Sequence, residues 1–155
     1  MAAGVVIEHP NRETAAARGT RAAILVVLLV SAALMILVSV GGWEAIAGAR
    51  ALQVALVVVY AGMALLVARW SRGVLPLAAA LAILVATFAA VSVPGWYARD
   101  KDGFVDAAFS SDVLGLLTAL LVPLQLLLMA VALRGFRQRW HVEVERPPAG
   151  ATATA

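Results

Sequence analysis

Four runs of about twenty apolar residues, at 20–40, 49–69, 74–93 and 113–133, constrain this chain more than any other feature. At 1.5 Å per residue each can cross about 30 Å of hydrocarbon, and none holds an acidic or basic side chain near its centre. Inside a bilayer the backbone has no water to bond, so each run must satisfy its own N–H and C=O groups as a helix. The expected fold class is therefore all-α, an integral membrane four-helix bundle spanning 20–133 between tails at 1–19 and 134–155. Composition agrees: 63% of the residues are hydrophobic and 14% charged, with a mean hydropathy of +0.95, too apolar for a soluble domain. Arg18 and Arg21 precede the first run as they would in a leader peptide, but the run outlasts the usual h-region of about 7–15 residues and no A-x-A site closes it. It is expected to stay as a span.

Charge sets the expected orientation. Nine basic residues (Arg12, Arg18, Arg21, Arg69, Arg72, Arg134, Arg137, Arg139 and Arg146) fall on the side of the tails, and three (Arg50, Arg99 and Lys101) on the other. Basic short loops stay cytoplasmic, so both termini are expected in the cytoplasm and the protein in the plasma (inner) membrane. Trp43, Trp70, Trp96 and Trp140 each follow a span, where an amphipathic indole is expected to anchor a helix at the interface.

Several functions are excluded by what is missing. Without cysteine there are no disulfides, thiol catalysis or thiolate metal sites. The two histidines, His9 and His141, lie in the tails, where neither can ligate a haem inside the membrane. No cofactor is expected. A pI near 10.2 does not imply nucleic acid, because the basic residues flank apolar runs, which suits lipid headgroups.

Helices in lipid associate through small residues and a few hydrogen bonds. The third span offers Ala78, Ala82, Ala86 and Ala90 at steps of four, the fourth Gly115 and Ala119, and the second Ala64 and Ala68; internal packing is the expected use of these faces. Tyr60 and Gln125 are the polar groups near mid-membrane, each roughly 16 to 20 Å from the outer end of its span, so they are expected to meet as helix glue. Gln125 is also placed to bond the carbonyl that Pro123 leaves without a donor. "VSVGGW" at 38–43 returns as "VSVPGW" at 91–96, each at the outer end of a span, which fits a duplicated hairpin or chance in a small alphabet.

The loop at 94–112 is the only long polar passage between spans. Asp100, Asp102, Gly103 and Asp106 match positions of a calcium loop, but the register puts Ala98 and Phe109 where its defining acids belong, leaving these aspartates as weak metal candidates. Ser110 and Ser111 have no outward-facing His or uncompromised Lys to act as base, and "SSD" before an apolar run predicts a helix cap by Ser111 or Asp112. Phe104, Val105, Ala107, Ala108 and Phe109 are expected to pack as an amphipathic segment over the helix ends. In the tails, the alternation through "RWHVEVER" predicts a short strand with "GVVIEH" as its partner.

With anchors and packing faces but no catalytic constellation, the chain is expected to act as an accessory or structural membrane subunit, not an enzyme. Its expected partners are the bilayer and a homo-oligomer or larger membrane complex. The alternative is a component of a lipophilic-solute or lipid transporter; proton coupling does not suit it, because no span carries an intramembrane acid.

Overall fold

A computed structural model describes residues 6–99, 101, 103, 104 and 106–146. The chain is all-α apart from two short strands: β1 (Val6–Glu8), α1 (Pro10–Glu13), α2 (Ala15–Gly41), α3 (Arg50–Ala68), α4 (Val74–Tyr97), α5 (Ser111–Arg137) and β2 (Val144–Arg146). The four long helices are each long and apolar enough to cross a membrane. They run beyond the apolar windows at several ends. The hydropathy pattern stops at the first polar residues, whereas a helix continues until its end groups find other partners.

At the start of α2 that partner is Thr14, whose hydroxyl accepts from the Ala17 N–H at 3.2 Å. At the start of α5 it is Ser110, accepting from Val113 at 3.4 Å, and not Ser111 or Asp112. The helix begins one residue earlier than the cap pattern implied. Asp112 then lies in the first turn, where its charge favours the helix dipole. Pro94 does not stop α4, because it sits in the last turn and removes only the bond to the carbonyl of Ala90.

The neighbour order around the bundle is α3, α2, α5, α4; α4 and α5 pack most extensively, while α3 and α4 touch little. On α4 the buried row runs Leu75, Ala78, Ala82, Val85 and Ala89 in alternating steps of three and four, with Ala86 buried beside it and Trp96 seven residues further on. This corrects the expected ridge at its last member: Ala90 is exposed and Ala89 buried. Steps of four gain about 40° per turn at 3.6 residues per turn, so the sequence row drifts off the packed face. Gly115 is buried against α4, where a Cβ would lie 2.7 Å from Tyr97 Cζ; Ala119 is half-buried. Ala64 is buried in the core and Ala68 half-buried.

The strands pair antiparallel as the tails predicted, Ile7 opposite Glu145 and Glu8 opposite Val144. They bring the two tails together at the end of the bundle that also carries the α3–α4 turn, the termini end. The opposite end, the loop end, carries the connections at 42–49 and 98–110.

Candidate functional site

The mid-depth polar groups come together. Tyr60 of α3 donates its hydroxyl to Gln125 Oε1 of α5 at 2.7 Å, and Gln125 Nε2 donates to Ser31 Oγ of α2 at 2.9 Å. All three residues are fully buried. The expected meeting of Tyr60 and Gln125 is thus a direct bond. Ser31 joins as a partner that the sequence reading omitted, although counting its depth along the first span would have found it. The described bonds of the amide go to Tyr60 and Ser31, and none goes to the carbonyl freed by Pro123.

One turn toward the loop end from this tie, the helices enclose a cavity of about 260 Å³. Met35, Leu56 and Leu121 line it, each four residues from Ser31, Tyr60 and Gln125 respectively, so the tie lies just beneath its floor. Leu52 and Gln53 of α3 face Phe88, Ala89 and Ser92 of α4 across it, between two neighbouring helices that touch little. Its polar lining is already bonded. Ser92 and Thr118 donate back to the Phe88 and Leu114 carbonyls, and Gln53 donates to the Met35 carbonyl at 3.3 Å. The wall offered to a ligand is therefore mainly apolar.

Above it, Ile46, Ala49 and Trp96 form the roof. Arg99, just beyond α4, donates to the Ala45 carbonyl at 3.1 Å, bridging α4 to the α2–α3 connection. Its guanidinium lies near the rings of Trp96 and Phe104, at 5.3 and 5.4 Å from their centroids. Arg99 also borders an open depression of about 650 Å³, the vestibule, with Lys101, Asp106, Ser110 and Ser111 around it and Trp96 and Leu114 beneath. Trp96 lines both spaces. The loop reaches this position by folding back: Phe109 lies on Gly41, where a Cβ would sit 2.2 Å from its ring, and its N–H donates to the Gly41 carbonyl at 3.1 Å. The expected amphipathic segment is a bent loop without helix, packed onto the bundle through Ala107 and Phe109. Val105 lies outside the described residues.

The tryptophans take different places. Trp43 projects outward, 41% exposed, with Arg50 stacked at 4.8 Å, and Trp70 is half-buried under Arg21 at 4.6 Å. Trp140 is fully buried and Trp96 nearly so, so protein covers both where lipid headgroups were expected. Trp140 packs edge-on against Trp70 at 5.2 Å and donates to Gln138 Oε1, and Gly135 leaves room for its ring. In the repeated hexapeptide, Trp96 lies against Gly42, where a Cβ would be 2.6 Å from it, so the two copies touch.

Of the metal candidates, Asp106 borders the vestibule, while Asp100 and Asp102 lie outside the described residues. Among the described residues no three His, Asp or Glu side chains gather as a metal site. Comparison with known proteins finds no matching family model, curated protein or solved structure.

Proposed function

We propose that this protein is a multi-pass protein of the plasma (inner) membrane, termini in the cytoplasm, that binds the hydrocarbon chain of an amphiphile in the outer half of the bilayer. The observation that carries this reading is the mainly apolar cavity between α3 and α4, where the Ser92 and Thr118 hydroxyls and one Gln53 N–H are bonded internally. A space next to the bilayer with such walls suits hydrocarbon better than water, since an ordered water needs about 2–4 polar partners. The reading ranks lipid or lipophilic-solute handling above a purely structural role, by binding and not by catalysis. The direct test is retention of lipid by the purified chain in mild detergent. Ala89→Phe, or the milder Ala89→Leu, fills the cavity from α4 and should weaken that retention in protein that still folds. Retention equal to that of the unsubstituted chain would dismiss the reading.

An accessory-subunit role has its own support in α3, of whose span only 22% is buried in the bundle, against 44% for α2. Its uncovered side carries Ala51, Ala55 and Gly62, small residues that permit close helix approach. Affinity purification through a C-terminal tag tests it: a stoichiometric partner released by Gly62→Leu supports a subunit role, and a lone chain removes it.

A further inference from the structure

We infer that the vestibule and the cavity beneath it form one site for a phospholipid, its phosphate held between Arg99 and Lys101 and one acyl chain in the cavity. The inference rests on the hydrocarbon-chain reading above and adds the chemistry of the headgroup. Trp96 lines both spaces, so they adjoin on either side of one indole, and a phospholipid with its headgroup beside Arg99 reaches the lower space by passing the edge of that ring.

The upper space has the matching chemistry. A guanidinium has five N–H donors, and among the described residues Arg99 uses one, on Ala45. The rings of Trp96 and Phe104 hold its position without consuming the rest. Lys101 and Ser111 border the same space, and among the described residues the one ion pair is Arg50 with Glu44, in the neighbouring loop. Two cations without a described carboxylate partner suit a phosphate, which takes charge-assisted bonds from both. Asp106 on the same rim disfavours a second negative charge, so a phosphodiester fits better than a phosphomonoester.

The experiment is native mass spectrometry of the full chain in detergent, titrated in turn with phosphatidylglycerol, diacylglycerol of the same acyl chains, and glycerol 3-phosphate. The phospholipid should be retained about tenfold more strongly than diacylglycerol, the effect of one or two charge-assisted bonds. Lys101→Gln should remove most of that preference and leave diacylglycerol unchanged. Ala89→Phe should weaken both lipids alike, with Ala89→Leu as a milder filler should the larger ring prevent folding. Equal retention of the two lipids, indifferent to Lys101→Gln, overturns the headgroup assignment and leaves the chain-binding reading standing. Phospholipid retention indifferent to both fillers overturns the single site and the chain reading together. Glycerol 3-phosphate bound as tightly as the lipid overturns the lipid assignment in favour of a soluble phosphate ester.

Discussion

The termini end and the loop end use the same residue types to opposite effect. At the termini end arginines close the structure. Arg21 donates to the carbonyls of Val67 and Ala68 at the end of α3, Arg72 to Phe136 near the end of α5 at 2.8 Å, and Arg12 to Trp140 at 2.8 Å. Asn11 reaches the Gln138 and Arg139 carbonyls, Gln138 bonds Thr20, and the strands pair above them. Arg21 and Arg72 meet carbonyls at helix C-termini, where the dipole favours positive charge, and Arg12 holds the turn that follows α5. At the loop end Arg50 and Arg99 also hold carbonyls, those of Trp43 and Ala45, but they brace loops around open space. The difference teaches that an arginine beside a span can act structurally in two ways, by tying helix ends together or by bracing a loop over open space. The tied end keeps a depression of about 270 Å³ between α2 and α5, whereas the loop end carries one of about 650 Å³.

The sharpest break of this comparison is topological. Cysteines placed at Ala98, exposed beyond α4, and at Gly73, whose Cβ would meet open space in the α3–α4 turn, probe the two ends in a chain free of other thiols. An impermeant maleimide applied to intact cells should label the first fully and the second not at all. Labelling of the Gly73 variant alone would invert the proposed orientation and put the vestibule in the cytoplasm.

Next in size is the contrast between two buried tryptophans. Trp140→Ala at the termini end should lower stability in detergent by about 3–5 kcal/mol, since the indole fills a closed core and its loss leaves a hole. Trp96→Ala should cost less, because that ring already borders two open spaces and forfeits fewer contacts. Equal losses would mean that the loop end is as tightly built as the other. Trp70 sharpens the point. It takes a left-handed conformation, φ 61°, in the Schellman turn where Ser71 and Trp70 donate to the Leu66 and Val67 carbonyls. A bulky residue holds that conformation because Arg21 and Trp140 pack on it.

The spans, the strand pair and the meeting of Tyr60 with Gln125 were legible because each depends on a period or a depth that can be counted along the chain. The fates of Trp96 and Trp140 were not. An indole after an apolar run reads as an anchor whether lipid or protein covers it, and the cover comes from distant residues such as Gly42 and Gly135. Ala90 failed for another reason, that a strict step of four drifts off the packed face of α4 by its last member. The cavity left no local signature at all. It arises from α3 and α4 keeping apart, a property of four helices and not of any one of them.

The smallest expected effects test the tie beneath the cavity. Gln125→Leu leaves the Tyr60 hydroxyl and Ser31 without a partner among buried groups and should cost about 1–3 kcal/mol in a detergent unfolding titration. Tyr60→Phe removes one interhelical bond while Gln125 keeps Ser31, and should cost about 0.6 kcal/mol, the usual value in membrane bundles. The inequality matters more than either number. If Gln125 is the hub joining α2, α3 and α5, its loss must exceed that of a peripheral member. Equal losses would instead identify a bond between α3 and α5 alone, with Ser31 a bystander, and the floor of the cavity would then depend on two helices in place of three.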